Sequence, residues 1–531
     1  MVSDEINLLD GCPVNSQNYQ ALAQQQRGED TSNNGRKNRK DSGRYIDADF
    51  HIPLEGFVGS HLGRRLLDVL SRDGPNGVLL ERMIRSYADP QISLPERILF
   101  WPVHRLIRRL KGSMTDEHFR WKVAEHSSTV RGIVATARSV AEFGLTLPQQ
   151  FSVPLIVVWN FTNQCNLRCR HCYQSAGSQR IADELSLSEK LRIVDKLGKA
   201  YVPMIAFAGG EPTIAPDLIP VLKRCQRYGI HTTVATNGTT LSLERVRALR
   251  DAGARYLEIS LDSTDPAKHD SFRGVPGVWS RTVEGIKNVV AVEGIRPGVA
   301  MCVHQDNYDE VEDMIELAKG LGATCFAHFN FIPVGRGRDC VSGDLTPAQR
   351  EQLLGVLNRH MQEGQIGILS TAPQFGRVAL TFAPEQGRMS ASHCGGGGGR
   401  AARVVAKYLG GCGAGRTYVC LEPNGDVTPC VYMPNRPFGN VRQRPLLELF
   451  RNSPYWDDLW DRSDRDGHCR TCRYKHYCGG CRARADAYFG SVKANDPGCI
   501  FNQTAWDKLV ATGLAWPEHT EKPIRQRHAF A

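Results

Sequence analysis

The chain has 531 residues, of which 41% are hydrophobic and 23% charged, and its formal net charge is +10. This length allows two or three domains, and the composition is typical of a soluble globular protein. The sequence has no apolar run of about eighteen residues and no basic-then-apolar start, so it predicts a cytoplasmic protein without a membrane span or Sec signal. Its basic residues are spread along the chain without forming a recognisable module, and we expect no nucleic acid partner.

The N-terminal part divides into two segments of different composition. Residues 1–50 are rich in Gln, Asn, Asp and Lys, and they predict a disordered tail because they would bury too little apolar surface to offset the entropy of ordering. In residues 51–150, apolar side chains recur at helical spacing, which predicts a helical region.

One stretch of this helical region, RILFWPVHRLIRRLKG at 97–112, joins a bulky apolar cluster to the basic residues Arg105, Arg108, Arg109 and Lys111. It could dock on an anionic membrane surface or on an acidic partner. The alternative that we favour is that its apolar face packs on the protein itself and the arginines are solvated.

Residues 151–340 show alternating strand and helix patterns. Six short apolar runs, each followed by a loop and usually by an amphipathic helix, predict parallel strands: PLIVVWNFT, MIAFAGG, HTTVATNG, YLEISLD, GVAMCVH and ATCFAHFNFIP. The expected fold class is therefore α/β, with a partial (βα)6 TIM-like barrel. In such barrels the chemistry lies on loops at the carboxyl ends of the strands.

The C-terminal part has weaker periodicity and many cysteines. Residues 341–411 are predicted to be a linker with a glycine-rich loop, HCGGGGGR. Most of the 17 cysteines fall at 165–172 and at 412–499, and clustered thiols in a chain without a secretion signal indicate metal rather than disulfides. We therefore predict a second, metal-stabilised domain at 412–505, followed by a tail at 506–531.

Three cysteines with the spacing C-x3-C-x2-C follow the first predicted strand: Cys165, Cys169 and Cys172. A zinc site or a fully protein-ligated iron–sulfur cluster uses four ligands. Three thiolates can instead hold three irons of a cubane cluster and leave the fourth iron open. The stretch resembles the signature of radical S-adenosylmethionine (SAM) enzymes, over roughly residues 153–340. The resemblance implies a [4Fe-4S] cluster whose open iron binds the amine and carboxylate of SAM.

Further loops at the predicted strand ends match SAM-contacting positions of that family. They are GGEP after the second strand, ATNG after the third, SLD after the fourth and FIPVGRG after the sixth. Each motif alone is weak, since a strand-ending glycine is usually a turn residue, but their order and spacing agree. The resemblance implies SAM contacts, near its adenine, ribose, amine or carboxylate, for His171, Gly209, Gly210, Glu211, Pro212, Thr236, Asn237, Ser260 and Asp262.

Eight downstream cysteines resemble the SPASM domain, a C-terminal extension that normally binds two auxiliary iron–sulfur clusters. The resemblance implies two auxiliary [4Fe-4S] clusters, one held by Cys412, Cys420, Cys430 and Cys481, the other by Cys469, Cys472, Cys478 and Cys499. Zinc is the alternative metal. The spacing between Cys478 and Cys481 is one residue shorter than the common pattern, so the assignments of Cys420 and Cys481 stay open. An open iron in the first auxiliary cluster could bind substrate.

Other thiols have separate interpretations. Cys302 and Cys325 lie in predicted strands and are expected to be small core residues. Cys394 adjoins the glycine run and could donate a proton or hydrogen atom to a substrate radical, with an inert loop cysteine as the alternative. The final acid or base is not identified.

The resemblance implies an enzyme that cleaves SAM reductively to a 5′-deoxyadenosyl radical, which abstracts a substrate hydrogen. The expected electron source is a low-potential donor such as ferredoxin or flavodoxin. Because SPASM enzymes act mostly on peptides, the first hypothesis is a maturase of a ribosomal peptide or a protein side chain. The second is a small-molecule enzyme that removes or trims carboxylate side chains of a tetrapyrrole in haem-type cofactor synthesis.

Two features bear on that choice. CGGCRAR is similar to stretches in the tetrapyrrole branch, and the basic balance suits a polyanionic substrate. Peptide maturases often have an N-terminal winged helix with a β-hairpin that grips a leader peptide, whereas residues 51–150 are predicted to be helical. A non-catalytic iron–sulfur carrier is disfavoured, because it would not need the SAM-contacting loops.

Overall fold

The computed structural model describes residues 56, 58–75, 77–89, 92–110, 115, 117, 119–120, 123, 127–383, 387–390, 396–515 and 524. The predicted tail at 1–50 and Cys394 lie outside the described residues, as does most of the predicted tail beyond residue 515. Among the described residues, no helix combines the length and apolar character that a membrane crossing requires.

The predicted helical N-terminal region is confirmed where the structure describes it. Its helices are α1 (His61–Ser71), α2 (Leu79–Ala88), α3 (Leu94–Leu110) and α4 (Ser127–Phe143). Buried Arg131 joins α4 to the barrel by donating to the carbonyl oxygens of Gly198, Val202 and Tyr228 at 2.7, 3.1 and 2.8 Å. The helical region is thereby fixed to the outside of the barrel.

Helix α3 contains the basic apolar stretch. Phe100 and Ile107 are buried, but four large apolar residues on the helix are exposed by about half or more: Leu94, Ile98, Leu99 and Trp101. The expected packing on the protein is therefore only partial. Lys111 lies outside the described residues.

The main sheet has ten strands in the order β12-β11-β10-β1-β2-β3-β4-β5-β6-β7. Its strands are β1 (Ile156–Asn160), β2 (Met204–Ala208), β3 (His231–Thr236), β4 (Ala254–Ser260), β5 (Arg296–Val303), β6 (Cys325–Asn330), β7 (Gly367–Ser370), β10 (Tyr418–Leu421), β11 (Asp426–Thr428) and β12 (Gly439–Asn440). All neighbours from β1 to β7 are parallel, which confirms the predicted α/β partial barrel.

Helices cover the outside of these strands. They are α5 (Leu187–Lys199), α6 (Leu218–Arg227), α7 (Leu243–Asp251), α8 (Pro266–Arg273), α9 (Val278–Val290) and α10 (Val311–Gly320). Local signals set their ends: Ser186 and Glu189 form a reciprocal capping box at α5, and Asp265 caps α8, which Gly274 ends in a left-handed conformation. The loops between strands and helices are thus held at the carboxyl ends of the strands.

Residues 341–411 differ from the predicted linker. They form α11 (Pro347–Glu363), β7, α12 (Gln374–Phe382), a hairpin of β8 (Arg388–Ser390) and β9 (Gly396–Gly398), and α13 (Gly399–Leu409). Thr346 and Gln349 form a capping box at α11, and three of the five consecutive glycines form strand β9. The linker prediction was wrong because the buried polar residues of α11 hide its apolar periodicity.

The C-terminal region extends the barrel's own sheet. Strand β10 pairs with β1 in parallel, and β11 and β12 continue antiparallel. The short helices that follow are α14 (Leu446–Arg451), α15 (Trp456–Trp460), α16 (Gly467–Thr471), α17 (Arg482–Phe489) and α18 (Gln503–Ala511). A buried cluster of charges joins this region to the barrel: Arg484 contacts Asn330 after β6 and pairs with Asp344 and Asp496.

Candidate functional site

The three-cysteine loop follows β1 and is held by backbone hydrogen bonds. The amide of Arg168 donates to the carbonyl of Arg273 at 3.1 Å, and the amide of Arg170 donates to that of Phe272 at 3.0 Å. From the loop after β6, the Arg336 side chain donates to the carbonyl of Cys169 at 2.9 Å. The loop is therefore fixed from two sides before any cofactor binds.

Cys165, Cys169 and Cys172 pack against one another and all line the cavity described below. Burial raises the pKa of the Cys165 thiol to about 12 and also raises the pKa of Cys169, whose nearest cation is Arg273. The Arg273 guanidinium donates to the Cys169 Sγ at 3.7 Å. A cation next to buried thiols favours their deprotonated form, which is the form that binds iron.

No His, Cys, Asp or Glu side chains in the described ranges converge in a group of three around a single-ion position. A cubane cluster holds its thiolates further apart than a single ion does, because each thiolate binds a different iron. The three loop thiols, with an open side towards the cavity, fit such a cluster.

The GGEP loop lies directly against the cysteine loop, and its glycines are required by this contact. A Cβ on Gly209, whose φ is +111°, would lie 2.8 Å from the carbonyl oxygen of Thr162, and a Cβ on Gly210 would lie 2.1 Å from that of Gln164. Pro212 begins a short 3-10 helix after the loop. At Gly209 and Gly210, only backbone atoms therefore border the cavity.

Three predicted SAM-contacting residues, Glu211, Thr236 and Asn237, line the cavity and also bond to one another. The Glu211 carboxylate accepts from the Thr236 hydroxyl at 2.7 Å and from the Asn237 amide at 2.7 Å, besides two bonds from Thr213. The Asn237 side-chain amide donates to Asn166 in the cysteine loop at 2.8 Å. These bonds hold the loops in position, and the SAM contacts of the three side chains stay a prediction.

Ser260 and Asp262 line the cavity at the end of β4 and differ in their contacts. Asp262 pairs with Arg273 at 2.6 Å and accepts from the amide of Cys302 at 3.0 Å. Burial tends to raise the pKa of Asp262, but Arg273 and neighbouring histidines hold it below its usual range. For Ser260 the described residues provide no side-chain hydrogen bond, so its hydroxyl is available to a ligand.

His171 lies in a stack of three rings. Its imidazole stacks on Phe272 with centroids 4.2 Å apart, and His304 stacks on the other face of Phe272, also at 4.2 Å. Burial lowers the pKa of His171 to about 3, and its Nδ1 has no hydrogen-bond partner among the described residues. The neutral ring lines the cavity, where a planar ligand could contact it.

The eight C-terminal thiols form two neighbouring groups. Cys469, Cys478 and Cys499 lie within electrostatic range of one another, together with Cys472. The Arg377 guanidinium, paired with Glu351, lies beside this group and offsets part of the effect of burial on the pKa of Cys478 and Cys499.

The other C-terminal group surrounds Tyr418. Its hydroxyl donates to the Cys430 Sγ at 2.9 Å, and burial together with the thiols of Cys430, Cys412 and Cys481 raises its pKa. Cys420 lies next to Cys430, but its thiol donates to the carboxylate of Glu422 at 3.3 Å. The geometry is consistent with the predicted partition of the thiols, and the ligand role of Cys420 stays a prediction.

A cavity of about 840 Å³ runs through the barrel from the cysteine loop. TIM-barrel interiors are usually filled by bulky branched side chains. Here many inward positions on the strands carry small side chains: Val158, Ala206, Ala208, Thr233, Ala235, Ser260, Ala300 and Ala327. The cavity reaches the β8–β9 hairpin and lies at the upper end of the volume range of small-molecule sites.

Sequence reasoning missed several residues of this site. Arg273 and Arg336 hold the cysteine loop, and Glu258 projects from β4 into the cavity. Glu258 stands at an inward position between Tyr256 and Ser260 in the run YLEISLD, and a charged residue among apolar ones could have identified it. The arginines carry no such signal, because their partners are distant in sequence.

Comparisons with known proteins agree with this geometry. The family model described as "Radical SAM superfamily" matches residues 159–318, and that described as "Iron-sulfur cluster-binding domain", SPASM, matches residues 412–473. The chain is 32% identical over 357 residues to the AdoMet-dependent heme synthase of Methanosarcina barkeri, covering 66% of this chain and 97% of the relative.

Two further similarities are to a bacteriocin biosynthesis protein and to a solved SAM-bound structure. The subtilosin biosynthesis protein AlbA of Bacillus subtilis is 28% identical over 338 residues, 62% of this chain and 68% of AlbA. SAM-bound SuiB of Streptococcus suis superposes with a TM-score of 0.54 at 18% identity, over 76% of this chain and 88% of SuiB, which shows a common fold. The chain therefore belongs to the radical SAM enzymes with a C-terminal SPASM domain, and its cofactors are SAM and [4Fe-4S] clusters.

Proposed function

We propose that this enzyme modifies a carboxylate side chain of a tetrapyrrole by abstracting a hydrogen atom from it. The observation that carries the proposal is the cavity of about 840 Å³. It has room for a large ligand between the strands and extends to the cysteine loop. Arg296 and Arg388 line it away from that loop and can receive substrate carboxylates. The similarity to a haem synthase over 97% of that protein supports the same substrate class.

Each part of the site has a proposed role. When bound, the first [4Fe-4S] cluster and SAM supply a 5′-deoxyadenosyl radical. Cys165, Cys169 and Cys172 hold the cluster, and the eight C-terminal thiols hold two auxiliary clusters. The backbone of the GGEP loop, Ser260 and the end of β4 bind SAM, while Glu211, Thr236 and Asn237 fix those loops. The barrel excludes water around the reacting carbon.

We also propose a cytoplasmic location and a low-potential electron donor such as ferredoxin or flavodoxin. We also propose the domain limits predicted at residues 151, 340, 412 and 505, although one sheet joins the barrel strands to those of the C-terminal region.

Modification of a peptide is the second candidate, supported by the similarity to AlbA. Within the described residues of the N-terminal region, all regular elements are helices, and none is a β-hairpin that could pair with a leader peptide. This observation favours the tetrapyrrole over the peptide.

The test is to incubate anaerobically reconstituted enzyme with SAM, a reductant and either a propionate-bearing porphyrin or a short Cys-rich peptide encoded near its gene. We expect 5′-deoxyadenosine to form together with a porphyrin that has lost one hydrogen atom and CO₂, detected by mass spectrometry. A propionate thereby becomes a vinyl group, and the one remaining electron would pass to an oxidised auxiliary cluster. A change in peptide mass, with the porphyrin unaltered, would overturn the proposal in favour of the second candidate.

A further inference from the structure

The inward-facing residue in the middle of β4 is Glu258. Its register partners are Ala235 on β3 and Gly298 on β5, which have small side chains or none, and the Tyr256 ring covers Gly298. Ser260 faces inward two residues further along the strand, which places it about 7 Å from Glu258 towards the SAM-contacting end. Glu258 therefore lies deeper in the cavity than the strand ends that contact SAM.

Glu258 is a partly buried carboxyl group that lines the cavity without a protein partner. Among the described residues, none forms a hydrogen bond or an ion pair with its side chain, and desolvation raises its pKa to about 7. Two other carboxyl groups of the cavity contrast with it: Glu211 accepts several hydrogen bonds and Asp262 pairs with Arg273. Because the Glu258 side chain faces the cavity, a ligand there can supply the partner that the protein does not.

We propose that Glu258, as a protonated acid, anchors the substrate by donating a hydrogen bond to one of its side-chain carboxylates. This inference rests on the proposed function. A protonated carboxyl group has one O–H donor, and hydrogen bonds to an ionised acceptor are stronger than those between neutral groups. A carboxylate held here extends from the macrocycle into the barrel and leaves the neighbouring carbons closer to the level of Ser260.

Other ionisable groups also face the cavity near Glu258, and each could in principle make substrate binding depend on pH. Tyr256, Cys302, Cys325 and Tyr432 all have a pKa raised by burial, so they stay neutral near pH 7. The pKa of His328 is lowered to about 3, and it also stays neutral. Arg296 and, on β3, His231 also line the cavity.

The experiment measures porphyrin binding rather than turnover. Coproporphyrin III, which has propionate side chains, is titrated into anaerobic, SAM-bound holoenzyme, and its absorbance reports the Kd. We expect wild-type affinity to fall about tenfold as the pH rises from about 6 to about 8, because the ionised Glu258 no longer donates and repels the carboxylate.

Two variants test whether Glu258 causes this pH dependence of binding. Glu258→Gln keeps a donor that cannot ionise, so it should bind within about threefold of the wild type at low pH and lose the pH dependence. Glu258→Leu should bind about tenfold more weakly at low pH while its thermal midpoint is equal or higher, because an unpartnered buried carboxyl group is removed. A structural role for Glu258 would instead lower that midpoint.

Different results would overturn different statements. Equal affinity in Glu258→Leu and the wild type, or a pH dependence that persists in Glu258→Gln, would overturn the anchor and leave the tetrapyrrole function standing. If the wild-type holoenzyme bound no porphyrin at any pH, the proposed function would fall together with the anchor.

Discussion

The two cysteine regions of this enzyme differ in what surrounds their thiols. The three thiols of the barrel loop line the cavity, whereas none of the eight C-terminal thiols is among the described residues that line it. Both regions have a buried arginine beside the sulfur atoms, Arg273 at the loop and Arg377 at the C-terminal group. The difference shows that a thiol set open to a ligand can perform chemistry, while an enclosed set is limited to stability, electron transfer or placement of the substrate.

The largest expected effect is at the three thiols of the barrel loop. Cys169→Ala should abolish SAM cleavage, because two remaining thiolates cannot retain a cluster with an open iron. Iron should fall from about twelve to about eight per chain, as expected for the loss of one of three four-iron clusters. The measurement is 5′-deoxyadenosine by chromatography, together with iron analysis. Cleavage that persisted in this variant would show that the loop does not hold the catalytic cluster.

Substitution of a C-terminal thiol should have a different effect on SAM cleavage. Cys472→Ala should keep some unproductive SAM cleavage and lose product formation, because this thiol belongs to the group that is remote from the cavity. Since metal loss can unfold such a region, only folded protein with measured iron content is compared. Full product yield would mean that this cluster is dispensable for turnover.

The arginine beside the enclosed thiols should be needed for stability. Arg377→Met leaves Glu351 buried without its partner, and breaking such a pair costs about 3–5 kcal/mol of unfolding free energy. Loss of the cation should also lower the midpoint potential of the neighbouring cluster, which a redox titration followed by EPR would show. Arg436→Met is the matched control: its pair with Asp486 is partly exposed, so a change below about 1 kcal/mol is expected.

The smallest expected effect is at a surface ion pair between the C-terminal region and helix α5 of the barrel. Arg442 of the C-terminal region donates to Glu189 of α5 at 2.7 Å, and this bond lowers the pKa of Glu189 to about 2. Because the folded pKa is depressed, the stabilisation is present above the ordinary pKa of 4.5 and is lost as the pH falls towards 2. The pair is partly exposed, so Glu189→Gln should cost less than about 1 kcal/mol at neutral pH, measured by denaturation, and nothing near pH 2.

Much of the fold was predictable because its signals are local. The six apolar runs correspond to β1 to β6, and the strand-end motifs fall on the loops that surround the cavity. The linker at 341–411 was wrongly predicted, because the buried Arg350 and Glu351 interrupt the apolar pattern of α11, and Arg377, the partner of Glu351, lies 26 residues further along the chain. Strand β10 was missed as a neighbour of β1, since a pairing over more than 250 residues leaves no local pattern.

The amino-acid sequence by itself indicated the cofactor chemistry, because three thiols spaced C-x3-C-x2-C after a strand, and eight more downstream, resemble the cluster-binding patterns of the radical SAM and SPASM families. Only the tertiary structure decided which of these groups meet. It placed Arg273 beside Cys169, used the Glu211 carboxylate for internal hydrogen bonds and left Glu258 without a partner inside the barrel. The reason is physical: a carboxylate's role depends on its burial and on the donors around it, and both come from strands and loops far apart in the chain.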